Sequence, residues 1–214
     1  PGLAKISMKS LLIITGPQGS GNHLWSKIFA ASGVLYGWSA LNDNYWVPHD
    51  QEPFAEAWHD PNKLKDIDIW PKAIAVTSIS CPYAYHGETV EPDYEKFINE
   101  AKNLGYHVKV AIIGRDQNVL RYQQERVRRT VSYHRFERHL DYLCSHDPVF
   151  LSTELLYLYG QRYIDSLARQ LHIHLDIPVD KLAEILAENP NAKYFVPALE
   201  QPLDNYVRQV SGIE

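Results

Sequence analysis

Leu11-Leu12-Ile13-Ile14-Thr15-Gly16-Pro17-Gln18-Gly19-Ser20-Gly21-Asn22-His23-Leu24-Trp25 is the stretch on which the fold turns. An apolar run rich in β-branched residues stops at a glycine-rich loop. Apolar residues then return at helical spacing as Leu24, Trp25, Ile28 and Phe29, so the pattern predicts strand, loop, helix. Glycines let successive backbone N–H groups converge, and the following helix adds its unpaired donors and the positive end of its dipole. An anion suits such a loop, and phosphate is the commonest one. The alternative is an ordinary tight strand-to-helix turn.

The sequence after the loop supplies a βαβ unit. Ala73-Ile74-Ala75-Val76-Thr77-Ser78-Ile79 reads as a buried strand, and Pro82 and Gly87 mark a loop. Tyr94, Phe97, Ile98, Ala101 and Leu104 recur at helical intervals, and Val108 to Ile113 forms the next strand. Strand, helix and strand at this spacing imply a parallel sheet. Gly114-Arg115-Asp116 ends that strand. A charged helix follows from about Asn118 to Thr130, with Val119, Leu120 and Val127 inward and Arg121, Glu125 and Arg129 spaced four apart on the outside.

Further on, one helix carries Phe136, Leu140 and Leu143, a short strand covers Val149-Phe150-Leu151, and a helix has Ile164, Leu167, Ala168 and Leu171 as its buried stripe. Pro178 opens another helix with Leu182, Ile185 and Leu186. The fold class expected is therefore α/β, three layers of P-loop type, with a mainly parallel central sheet flanked by helices. A single domain over residues 8–214 is expected, with residues 1–7 set aside as left over from expression, because Met8 directly precedes the first strand.

The stretch from Val34 to Trp70 has no sustained period. Trp38, Trp46, Trp58 and Trp70 are scattered there among Asn, Asp, Pro and His, as a substrate-binding insertion or as cover for the core.

Composition narrows the function. With 45% hydrophobic and 22% charged residues the chain can bury a sizeable core, and a formal charge of −5 argues against a general nucleic-acid binder. Any anion site must be local. Cys81 and Cys144, the only cysteines, offer neither a disulfide framework nor zinc-site spacing, which points to a reduced, cytoplasmic setting. No run is long enough to span a membrane, and no secretory leader is recognisable.

Gly16 to Gly21 fits the frame of the nucleotide-binding P-loop, but Asn22 and His23 stand where Lys and Ser/Thr grip the γ-phosphate and Mg²⁺. The segment Gly16-Pro17-Gln18-Gly19-Ser20-Gly21-Asn22-His23-Leu24 resembles instead the 5′-phosphosulfate loop of sulfotransferases, commonly Gly-Pro-x-Lys/Arg-Ser-Gly-Thr-Thr-Leu. Gly16, Pro17, Ser20, Gly21 and Leu24 match; Gly19 replaces the basic residue and Asn22-His23 replaces Thr-Thr. Val110 to Leu120 resembles the same family's 3′-phosphate segment, an apolar strand, Arg-Asp/Asn-Pro and a helix with Ser eight residues after the Arg. Arg115 and Asp116 match, while Gln117 replaces Pro and Gln123 replaces Ser. The later order, Phe150 to Leu156, a long helix, then Leu171 to Ile177, is also similar. The family's Arg-Lys-Gly segment is not recognisable, with Arg128-Arg129 as a possible substitute.

The resemblance implies 3′-phosphoadenosine 5′-phosphosulfate as donor co-substrate, held by Gly16 to His23 with Arg115 and Gln123. It also implies transfer to a hydroxyl or amine of a small-molecule or glycan acceptor, and no metal. Neither nucleic acid nor membrane is expected as a partner, and the oligomeric state is open. Ligands of parallel sheets collect beyond the carboxyl ends of the strands, where the glycine loop, Ser78 to His86 and Arg115 can face one pocket. His86, with Glu88 behind it, is the expected base, and both also suit a solvated loop. His23 sits in the first helical turn, where the dipole favours neutral imidazole, either for catalysis or bonded to a nearby carbonyl. Asn22 donates to a phosphate or caps the helix. His49 with Asp50, and His172 with His174, are weaker candidates; two imidazoles without a third ligand do not make a metal site. The competing functions are a nucleotide kinase or nucleoside-triphosphatase, and a catalytically degenerate nucleotide-binding or interaction protein.

Overall fold

The structure, a computed structural model, describes residues 9–32, 35–36, 51–67 and 74–187. Its centre is β1 (Ser10–Pro17), paired in parallel with β3 (Ile74–Cys81) on one side and β6 (His107–Gly114) on the other. A two-residue β2 (Leu35–Tyr36) lies outside β3, and β7 (Val149–Ser152) lies outside β6, giving the order β2-β3-β1-β6-β7. All pairings in this sheet are parallel. A strand covered on both faces is apolar at every position rather than at alternate ones, which is why Leu11 to Ile14 form an unbroken hydrophobic run.

The pleat sends those residues to opposite sides. Leu12 and Ile14 pack with Leu24, Trp25, Ile28 and Phe29 of α1 (Asn22–Ala31), and with α8 (Gln161–Leu171) and α9 (Val179–Ala187). Leu11 and Ile13 pack with α2 (Ala55–His59), α3 (Tyr94–Asn103) and α5 (Tyr133–Glu137). This is the three-layer α/β architecture with a parallel central sheet that the sequence implies. Among the described residues no helix is long and apolar enough to cross a membrane.

Capping explains where the later helices begin. Asp116 accepts from the N–H groups of Asn118 and Val119 at 2.9 and 3.0 Å, starting α4 (Gln117–Arg128). Ser152 accepts from Leu155 N–H at 3.1 Å and starts α7 (Thr153–Tyr159). The long helix expected after β7 is two: Gly160, at φ +50 and ψ −124, turns the chain between α7 and α8. The helix expected around Phe136 to Leu143 is likewise divided into α5 and α6 (Leu140–Cys144), with Arg138 and His139 between them. Val119, expected inward on α4, is 39% exposed, whereas Leu120 is buried.

Trp58 is a core residue. It stacks on Phe97 with ring centroids 3.7 Å apart, and its indole N–H donates to Thr77 Oγ1 at 2.8 Å. Thr77 in turn donates to Glu52 Oε1 at 3.3 Å. Glu52 is buried, and the loss of hydration raises its carboxyl pKa to about 8, against weaker opposition from hydrogen bonds with the Phe54 backbone and Thr77. Trp38, Trp46 and Trp70 lie outside the described residues.

Candidate functional site

The glycine loop connects β1 to α1 at the carboxyl edge of the sheet. Its glycines are needed for two different reasons. Gly19 and Gly21 have φ of +90 and +119, which side-chain-bearing residues rarely adopt. Gly16 instead has no room: a Cβ there would meet Ser20 Oγ at 2.6 Å and Ile113 Cβ at 3.1 Å.

The loop is fastened to its neighbours by a few specific bonds. Gln18 N–H donates to the Cys81 carbonyl at 3.1 Å, and Ser20 N–H to the Pro17 carbonyl at 3.0 Å. The Asn22 amide donates to the Ile79 carbonyl at 3.0 Å and Ser78 Oγ at 3.3 Å, and its oxygen accepts from Ser20 Oγ at 3.2 Å. Asn22 therefore holds the loop against β3, while Gly21 occupies the N-cap position. The N–H groups of Gly19, Gly21 and Asn22 have no hydrogen-bond partner among the described residues. The first turn of α1 has no acidic side chain to offset its dipole, and half-buried His23 sits there. These are the features of an anion cradle.

Arg115 arrives from the end of β6. Its Nη1 donates to the Gly19 carbonyl at 2.6 Å and to Gln123 Oε1 at 2.7 Å. Thus the two sequence motifs, far apart in the chain, meet at one residue of the loop. A guanidinium reaches the position where the loop itself lacks a basic side chain. Tyr157 of α7 shares this environment: burial raises its pKa, and the charge of Arg115 works in the opposite direction.

Sequence reasoning missed Gln124 and Thr153. Gln124 is buried; its amide donates to the Gln18 carbonyl at 2.7 Å, and its oxygen accepts from the N–H groups of Ser132 and Tyr133. It pins the outer curve of the loop to the segment before α5. A signal was present, because Gln124 lies one turn after Leu120, in the phase where an apolar residue belongs. Thr153 Oγ1 is buried without a hydrogen-bond partner, close to the Gly21 α-carbon. Trp25 Nε1, also beside Gly21, is unpartnered too.

His86 occupies a different setting. It and Gly87 form the turn of a two-stranded hairpin, β4 (Tyr83–Tyr85) and β5 (Glu88–Val90), both with positive φ as a tight hairpin turn requires. The His86 ring lies against Tyr85, which stacks on His59 at 4.4 Å. Glu88 is exposed on the same hairpin. His172 and His174 are exposed on the segment after α8, whose alternate residues Ile173, Leu175 and Ile177 are buried without joining the sheet. Arg129 is exposed at the left-handed C-cap of α4; His49, Asp50 and the Arg128 side chain lie outside what is described.

No family model matches the chain, and no curated protein resembles it in sequence. The chemistry of the loop, Arg115 and Gln123 is thus the basis for assigning a function.

Proposed function

We propose that this protein is a sulfotransferase that takes the sulfuryl group of 3′-phosphoadenosine 5′-phosphosulfate to a hydroxyl or amine of a small-molecule or glycan acceptor. The observation that carries the reading is the Arg115 guanidinium bonded to both Gly19 and Gln123. The Gly19 and Gln123 acceptors are neutral oxygens, and a phosphate is a stronger acceptor for the same N–H groups. The donor, when bound, supplies an activated sulfuryl group on a phosphate leaving group.

The residues of the chain divide the remaining work. The N–H groups of Gly19, Gly21 and Asn22 and the start of α1 hold the 5′ end and favour negative charge there. Pro17, Gln18, Ser20 and Gly16 fix the shape of that cradle, and Arg115 with Gln123 selects the 3′-phosphate. His23 offers an imidazole hydrogen bond beside the cradle. His86, exposed on the hairpin that follows β3, is the group assigned to accept the proton of the acceptor. A cytoplasmic location, inferred from the cysteine content, is part of the same proposal. A nucleoside-triphosphate function fits less well, because Asn22 fastens the loop where a phosphate-gripping lysine belongs. The absence of a basic side chain at Gly19 favours, as second reading, a protein that binds the nucleotide without turning it over.

Calorimetry of the full chain with adenosine 3′,5′-bisphosphate, adenosine 5′-phosphate and ATP with Mg²⁺ separates these readings. The bisphosphate is expected to bind most tightly. Arg115→Lys is expected to weaken it by roughly 1–3 kcal/mol more than the monophosphate, since Lys cannot form the two-pronged contact. Equal weakening of both ligands defeats the assignment. His86→Asn is expected to lower turnover while leaving nucleotide affinity in place, and an unchanged pH–rate profile removes His86 from the reaction.

A further inference from the structure

Three side chains able to ligate a metal converge on the α3 side of the sheet, behind the glycine loop. Cys81 ends β3, Glu91 follows β5, and His139 lies between α5 and α6. Their ligand atoms, a thiol sulfur, a carboxylate oxygen and an imidazole nitrogen, all lie within 4.8 Å of one another, the only such group among the described residues. The hairpin explains the first two, because it returns the chain to the end of the strand it left.

The spacing within the cluster is informative. His139 Nε2 is 3.5 Å from Glu91 Oε2, and this buried nitrogen has no hydrogen-bond partner among the described residues. A direct hydrogen bond would bring the two atoms to about 2.7–3.0 Å. Two ligand atoms each about 2 Å from a tetrahedral ion stand roughly 3.3 Å apart, close to what is seen. The other carboxylate oxygen, Oε1, accepts from Arg138 at 2.7 Å, with Arg135 at 3.8 Å. That contact fixes the carboxylate and leaves Oε2 toward His139, the arrangement in which outer partners orient metal ligands.

We propose that Cys81, Glu91 and His139 bind one divalent ion of the zinc class, with water completing a four-coordinate shell. Sulfur, nitrogen and oxygen in one set favour zinc over magnesium or calcium, which take oxygen alone. On binding, the Cys81 sulfur–hydrogen bond is replaced by a sulfur–metal bond and the proton passes to solvent. The ion ties the β4–β5 hairpin and the α5–α6 connection to the end of β3. Since the Cys81 carbonyl also accepts the Gln18 N–H, it braces the wall on which the glycine loop rests. None of this depends on which anion the loop receives.

Cobalt(II) is the probe, titrated into the full chain after treatment with a chelator. One equivalent is expected to bind, with a thiolate-to-cobalt charge-transfer band in the near ultraviolet and the visible bands of a four-coordinate ion, all displaced by zinc. Cys81→Ser is expected to abolish the charge-transfer band, whereas Cys144→Ser, at an exposed thiol on α6, keeps it. His139→Gln, at a partly exposed side chain, is expected to weaken cobalt binding at least about tenfold. The proposal is overturned if no saturable binding occurs at one equivalent, or if the charge-transfer band survives in Cys81→Ser. Should Cys81→Ser not fold, His139→Gln decides alone, and unchanged cobalt affinity in that variant overturns the site.

Discussion

The two faces of the sheet are closed by different means. On the α1–α8–α9 side, aliphatic and aromatic side chains fill the space, and buried Ser26 and Ser32 turn back on their own helix, bonding the carbonyls of Asn22 and Phe29. On the α2–α3 side, buried polar groups reach between elements. Thr15 of β1 meets the Tyr94 hydroxyl at 2.7 Å, and Trp58, Thr77 and Glu52 form a chain from α2 through β3 to the segment before α2. The first face is specified by volume and pattern, and many sequences satisfy it. The second is specified by partners, each of which is costly to leave alone.

The largest effect is expected on the apolar face. Phe29 is fully buried against Trp25, and Phe29→Ala should cost about 3–5 kcal/mol in urea unfolding, by the same amount at pH 5 and pH 8. A marked pH dependence of that cost would mean the two faces are not separable.

The polar face carries the titrating group. Because burial raises the Glu52 pKa from 4.5 to about 8, the folded state holds this proton more tightly than the unfolded chain. Its contribution to stability is therefore complete below about pH 4.5, falls by up to about 1.4 kcal/mol per pH unit between there and pH 8, and is level above. Urea midpoints measured across this range should fall less steeply in Glu52→Gln than in the parent. Parallel profiles would show that Glu52 is hydrated or paired when the protein is in solution.

A smaller effect tests the pairing rule directly. Tyr94→Phe leaves the buried Thr15 hydroxyl without its partner and should cost about 1–2 kcal/mol. Adding Thr15→Val removes the stranded group, so the double variant should regain part of the loss. A double variant worse than the sum of its parts would make the bond a packing contact in disguise.

What could be read in the sequence divides along the same line. β1, the glycine loop and α1 are legible because Leu11 to Ile14 and Leu24 to Phe29 carry their own periods, and the β3–α3–β6 unit is legible for the same reason. Arg115 is legible as the residue that follows β6, although its bond to the Gly19 carbonyl is not, since it joins residues 96 apart. Glu52 gives no signal: a carboxylate before Pro53, in a stretch without period, is met in the core by Thr77, which Trp58 holds in turn. Gly160 gives no signal of its own because the residues on both sides favour helix, and only its positive φ reveals the turn. The alternation of apolar residues from Leu171 to Ile177 corresponds to burial, but a strand also needs a neighbour with open hydrogen-bonding groups, and among the described residues none joins this segment to the sheet.

The position of β1 has a consequence for how the chain is made. It precedes both of its neighbours in the chain, which begin only at Ile74 and His107. Until β6 has emerged, Leu11 to Ile14 have at most one edge covered, and sheets built from such distant segments close slowly. A nascent chain stopped between β3 and β6 carries an apolar strand with an open edge, the template on which unfinished chains associate. Fragments ending in that interval should be recovered in the insoluble fraction, while those extending past β7 have both edges of β1 occupied from within.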